Sequence, residues 1–392
     1  MNILRRATTR QLVTAIVVVV ALAAGSAVAL AGGDGPKPPH RSLAAALHEA
    51  ATAKPVAGVT ARVQFANHLV ANNSLGSGSP LITGATGRIW AGDGKVRLEL
   101  QSSAGDTEIG FDGSNATLYD VSSGTAYVMP VRSHRHGDSG AMHHHAVPSI
   151  AQIRRALTTA AQHADLSGAI PGDVAGRPAY TVRVSPRHSG GLLGSVQLAW
   201  DAAHGVPLRI AIYSRTDSSP VLSLTVTDIS YGAVSSSDLQ VHLARGTKIV
   251  RVHPPQHMAR PAGMRTTHHP AVTGQAAVAK ALPFRLSAPS SLVGLPRKSV
   301  RLIDWSGTPA AVAVYGQGLG AVFVLEQQKP AGADHSPLAA LPRVSIDGAS
   351  GHELDTALGT LIQFDRGGVR YTVVGSLPSA AAVIAARGIG SR

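Results

Sequence analysis

The densest group of side chains able to do chemistry is His134, His136, His143, His144 and His145, with Met142 among them. Clustered imidazoles bind zinc, nickel or copper, and crowding raises local metal affinity even on a flexible segment. No carboxylate stands in fixed register with these histidines, and Gly137, Asp138, Ser139 and Gly140 describe a loop. The pattern predicts incidental affinity for nickel more readily than a metal centre. A second group, His253, His257, Met258, Met264, His268 and His269, has copper-binding residue types, but Pro254, Pro255, Pro261 and Pro270 interrupt it without periodicity, as in a linker. For catalysis the chain has no G-x-S-x-G elbow and no H-E-x-x-H pair, and His352-Glu353 lacks a second histidine. Asp201, Asp228 and Asp304 fall at turns or strand ends. Gly316, Gly318 and Gly320 have the wrong spacing for a nucleotide loop. Neither an enzyme nor a cofactor is expected.

The elements that position side chains must be built largely without aromatic rings. The 392 residues are 44% hydrophobic but 4% aromatic, so the cores must be Val, Leu, Ile and Ala. No cysteine is present, which excludes disulfides, thiolate zinc sites and a cysteine-anchored lipoprotein form. The net charge of +13 comes from basic residues scattered singly rather than interleaved with aromatics. That pattern points to anionic lipid or wall polymer and away from nucleic acid. Arg5, Arg6 and Arg10 precede the uncharged run Leu12–Ala31, which ends in A-x-A sites. Residues 1–31 are therefore expected to be a signal peptide or a retained amino-terminal membrane anchor, with the rest extracytoplasmic. Gly32–His40 reads as a tether.

The most regular stretch is Leu193–Gly232, where runs at 193–200, 206–214 and 220–231 are separated by the turn-rich pieces Asp201–Gly205 and Thr216–Ser219. Before it come a short helix on Leu43, Leu47 and Ala51, a strand over Gly58–Val70, a hairpin of 84–90 and 95–101, and strands near 106–111, 115–121 and 125–131. Ser149 opens a helix with Gln152 placed for a capping box and Ile150, Ile153 and Leu157 on one face. This helix is either a lid on a curved sheet or a core plug. Gly168–Gly176 is expected to be a linker, Ala179–Val184 a strand, and Leu239–Val252 the last one or two strands. Alternation places Val63 and Phe65, Leu98 and Leu100, Ile109 and Phe111, Leu208, Ile210 and Ile212, and Leu222 and Leu224 on one face of their strands. These are the candidate ligand-binding residues. Arg209 and Ala211 point to the other face.

This order of elements, together with GRPAYTVRV (176–184), VQLAWDAAHGVPLRIAIY (196–213), LTVTDISYG (224–232) and ARGTKIV (244–250), resembles the LolA/RseB group of envelope proteins. The resemblance implies an α+β, mainly β fold over 41–252, an incomplete antiparallel β-barrel of about eleven strands with covering helices and an apolar cavity for acyl chains. After a linker at 253–280, strands near 300–305, 310–316 and 320–327, a loop over 330–337, a hairpin of 359–365 and 369–375, and a helix at 378–388 are expected. AVAVYGQGLGAVFVLEQ and GGVRYTVVGSLP there resemble the smaller α+β carboxy-terminal domain of RseB, completing a MucB/RseB-type two-domain architecture over 281–392. The implied function is an exported, non-catalytic carrier or sensor of acyl chains, lipoprotein or glycolipid at the membrane surface. The alternatives are a negative regulator that binds a membrane anti-sigma factor, and a metal-binding surface protein.

Overall fold

The computed structural model describes residues 35–69, 80–131, 148–162, 164–187, 191–252, 272–305, 307–330, 338 and 341–390. The first part of the chain forms α1 (Leu43–Thr52), β1 (Val59–Asn67), α2 (Pro80–Thr83), β2 (Ala85–Gly92), β3 (Lys95–Ser102), β4 (Gly105–Phe111), β5 (Asn115–Asp120), β6 (Thr125–Pro130) and α3 (Ile150–Ala160). It continues with β7 (Ala164–Leu166), β8 (Ile170–Val174), β9 (Arg177–Pro186), β10 (Leu193–Asp201), β11 (Pro207–Ser214), β12 (Pro220–Tyr231) and β13 (Lys248–Arg251). All thirteen strands join one sheet, in the order β13-β6-β5-β4-β3-β2-β1-β12-β11-β10-β9-β7 with β8 also on β9. The three runs of the central meander become β10, β11 and β12 almost residue for residue.

The sheet is larger than the eleven strands expected, and the stretch read as a linker explains part of the excess. Residues 170–174 pair with β9 across a tight turn in which Ala175 (φ 55°) and Gly176 (φ 73°) both occupy the left-handed region. That is a hairpin geometry; Pro171 and Gly172 hid the strand by weakening its apolar pattern. β8 also approaches β12, although β9, β10 and β11 lie between them, so the sheet curls strongly at this end.

α1 and α3 form for the reasons visible in the sequence. Ser42 Oγ accepts from the Ala45 N–H at 3.3 Å, and Ser149 and Gln152 make a reciprocal capping box. α1 and α3 pack together, with Leu43, Ala46, Leu47 and Leu157 against Tyr180, Val182, Leu198 and Trp200 of β9 and β10. A second cluster centres on Ala61, Val63, Leu98, Leu100, Leu208, Leu224 and Val226, with Leu81 of α2 packed on it. From β12 the chain runs as a strap from Gly232 to Thr247. Leu239 is buried, and Val241 sits where a side chain at Gly110 would have to go. The strap ends in β13, which pairs parallel to β6.

The second sheet contains β14 (Ser291–Leu292), β15 (Leu295–Trp305), β16 (Thr308–Tyr315), β17 (Val322–Gln328), β18 (Arg343–Ile346), β19 (Ala349–Thr356), β20 (Gly359–Arg366) and β21 (Val369–Gly375). Its order is β14-β15-β16-β17-β21-β20-β19-β18. Tyr315, Val322, Val324, Ile362, Phe364 and Val373 pack with α4 (Gln275–Ala281) and α5 (Ser379–Arg387) into a separate core. All but the last residue of α4 lies in the 253–280 stretch read as a linker, yet its Val278 is fully buried in this core. Residues 253–271 lie outside the described residues, as do 1–34, where a signal peptide or membrane anchor is expected, and 331–337. The two parts of the chain meet through hydrogen bonds: Leu192 N–H donates to Ser376 O at 3.1 Å, Leu193 N–H to the Ser376 hydroxyl Oγ at 2.8 Å, and Ala357 N–H to Leu69 O at 3.0 Å.

Asp201 fastens the curled end of the first sheet. Its side chain, 1% exposed, accepts from Tyr231 OH at 2.7 Å, Arg177 Nε at 3.1 Å, and the Ala203 and His204 N–H groups at 2.8 and 3.0 Å. Burial alone would raise this carboxyl, but these hydrogen bonds outweigh it and hold the group below its ordinary 3.8. A depressed folded value means that the stabilisation is present above the unfolded value and is lost as pH falls through the folded one. Asp201→Asn should therefore lower stability at pH 7 by about 1.5–3 kcal/mol, the scale of hydrogen bonds to a charged group. In thermal melts the gap to the parent should narrow below pH 4, and a gap independent of pH would contradict this account.

Candidate functional site

Strand register brings all eleven candidate residues to one face of the large sheet. Phe65 lies opposite Leu224, which lies opposite Ile210, and the row continues through Leu198 to Val182. Val63 lies opposite Val226 on one side and, through Gly87, in line with Leu100 on the other. Ile212 and Leu222 pair one step further along. On the other half of the sheet the rows run Ile89, Leu98, Ile109, Leu118, Tyr127 and Val96, Phe111, Ala116, Met129. Charged side chains of β3 and β4 alternate to the opposite face, where Arg97 Nε meets Glu108 at 3.0 Å and the guanidinium lies 4.8 Å from the Trp90 ring centre.

Sharing a face does not give these residues one role. Leu100 and Leu208 are 0% and 1% exposed and, with Val63, Leu98 and Leu224, form the closed core; Phe65, Ile109 and Ile210 pack against it. Phe111, Ile212 and Leu222 stand outside that cluster and are half-buried. Cover decreases along the rows toward β6, where Tyr127, Met129 and Val131 are 43%, 40% and 39% exposed. Their period-two spacing was readable in the sequence, yet these residues were not among the candidates. α1 and α3 sit over β9 and β10, and α2 over β1, β3 and β4, so among the described residues no helix covers the far end of the face.

An open cavity of about 370 Å³ lies at the ends of β1, β2 and β3, lined by Gln64, Asn67, His68, Thr86, Gln101 and Ser102 among others. Phe65 is its one contributor from the candidate set. His134, His136, His143, His144 and His145 lie outside the described residues. Among the described residues no group of three or more His, Asp or Glu could hold a metal ion, and no helix is long and apolar enough to cross a membrane.

No protein-family model and no curated protein matches the chain. Among solved structures it is similar to MucB in complex with MucA(peri), at 18% identity over 88% of this chain and 98% of that one, with a TM-score of 0.43. The Pseudomonas aeruginosa MucA/MucB complex is matched at 17% identity, with the same coverages and TM-score. A LolA superfamily protein, NE2245 from Nitrosomonas europaea, is matched at 11% identity over 52% of this chain and 99% of that one, with a TM-score of 0.19.

The division of the face into core and open strip predicts unequal costs. Leu100→Ala or Leu208→Ala should destabilise by about 2–5 kcal/mol, whereas Met129→Ala should stay within about 0.5 kcal/mol, the scale of surface substitutions. Urea unfolding of the three variants checks this; equal losses at all three positions would mean that the strip is covered.

Proposed function

We propose that this chain is an extracytoplasmic binding protein that holds an acyl chain, free or carried by a lipoprotein or glycolipid, on the open end of the apolar face. The observation that carries the reading is the uncovered strip itself. Phe111 and Leu118, half-buried, and Tyr127 and Met129, exposed, continue the surface that closes the core elsewhere. Apolar surface of this kind on a folded domain marks a place of interaction. Each buried methylene is worth about 0.8 kcal/mol, so half of a sixteen-carbon chain gains about 6 kcal/mol before the cost of association. Contacts to a head group are needed to bring that to micromolar affinity. The basic, apolar amino-terminal run supports placement outside the cytoplasmic membrane, as a cleaved signal or an anchor.

A second reading is an RseB-like regulator that holds a membrane anti-sigma factor. It is favoured by the carboxy-terminal domain, whose separate core and contact at Ser376 an acyl carrier does not require.

A titration with a fluorescent sixteen-carbon fatty acid tests the first reading. The delipidated parent should bind at micromolar concentration, and Tyr127→Glu and Met129→Glu, both at exposed positions, should weaken binding at least about tenfold, or 1.4 kcal/mol, with melting temperatures unchanged. Binding by both variants as tight as the parent's, or none by the parent, would remove the acyl reading.

A further inference from the structure

On the opposite face of the meander, register lines up Arg183, Gln197, Ala211 and Ser223 across β9 to β12, with Arg209, Thr225 and Gln64 in the adjacent row. With the Gln197 amide turned so that its oxygen faces Arg183, that oxygen accepts from Nη2 at 2.9 Å and Nε at 3.2 Å. The amide nitrogen then lies 3.4 Å from Tyr213 OH, which also accepts from Arg209 Nη2 at 3.0 Å. Two guanidiniums are thus held by neutral groups, and neither has a carboxylate partner among the described residues.

Three polar atoms here are buried without a partner: Arg209 Nε, Ser223 Oγ and Thr225 Oγ1. Ser223 is only 4% exposed, and Ala211, paired with it, is fully buried. Leaving buried donors unmade costs about 1–3 kcal/mol each, and two unpaired cations in one patch repel. An oxyanion resolves both deficits, because it accepts from several donors and neutralises the guanidiniums.

We propose that Arg183, Arg209, Tyr213, Ser223 and Thr225 form a binding site for a phosphate group, whether of a free phosphate ester or a phospholipid head group. The Tyr213 hydroxyl, which accepts from two N–H groups, has its own proton left to donate. Register and the contacts through Gln197 and Tyr213 place these donors on neighbouring positions of one face, and the guanidinium fork matches phosphate geometry. The site lies on the other face from the acyl strip and stands independently of it.

The test uses the folded, delipidated chain. Inorganic phosphate should raise its melting temperature in a saturable way, while acetate and chloride at matched ionic strength should not. Arg209→Gln and Ser223→Ala should each weaken phosphate binding, measured by calorimetry, by about tenfold, the loss of one charge-assisted hydrogen bond. Without phosphate at low salt, Arg183→Gln should raise the melting temperature by relieving repulsion, an outcome that a purely structural arginine would reverse. Cosedimentation with phosphatidylglycerol vesicles, competed by soluble phosphate, assigns the group to a lipid; phosphate binding without vesicle binding assigns it to a free ester. Phosphate affinity unchanged in both Arg209→Gln and Ser223→Ala, or melting shifts no larger with phosphate than with acetate, would overturn the site.

Discussion

A single buried carboxylate sets the shape on which both faces of the large sheet depend. Asp201 ends β10, caps the turn into β11 through two main-chain N–H groups, and reaches Arg177 of β9 and Tyr231 of β12. Arg177 lies over the Tyr231 ring at 4.8 Å, and the His204 ring packs against it at 4.2 Å, tilted by 34°. These contacts join strands that are not neighbours in the sheet, which is how the curled end is held curled. The same turn meets the end of α1, since Gly205 lies where any side chain would strike the Ala50 carbonyl. Curl and helix placement are therefore fixed together.

Given that curl, period-two alternation in β11 and β12 does the rest. Ile210 and Leu224 face the helices, while Arg209 and Thr225, also opposite each other, face away. The apolar set is wider than the short helices that cover it, which leaves the strip at β5 and β6. Arg183 and Arg209 of the polar set make no ion pair among the described residues and are held by Gln197 and Tyr213. Each surplus follows from which residues occupy alternate positions.

Much of this was legible in the residues. The strands of the meander, the capping box at Ser149 and the hairpin turning at Arg366-Gly367-Gly368 carry strong local signals, and the structure has them at those places. What stayed hidden was decided by tertiary contact. β8 is five residues with a proline and a glycine, and it is a strand because β9 pairs with it. α4 has a single fully buried residue, Val278, and no side-chain cap, so packing rather than propensity defines it. Alternation identified the face on which all eleven candidate residues stand. It could not separate Leu100, deep in the core, from Met129, on the open strip, because cover depends on where α1, α2 and α3 come to rest.

The way the open strip is bounded bears on what uses it. An exposed apolar face beside a free sheet edge invites pairing with other chains, which native folds prevent by charge, short strands or cover. Here the edge of β6 is taken by β13, brought round by the strap on the opposite face, so β6 is paired on that side from Thr125 to Val128. β13 is only four residues long, begins with Lys248 and ends with Arg251, and so is a poor template for a further strand. The edge is closed while the side chains of Tyr127 and Met129 remain open. A ligand that adds a strand finds no partner there, whereas one that lies flat on side chains does. The acyl chain proposed above as occupant would lie on these side chains and would not need a strand partner, which is the geometry this end of the sheet offers.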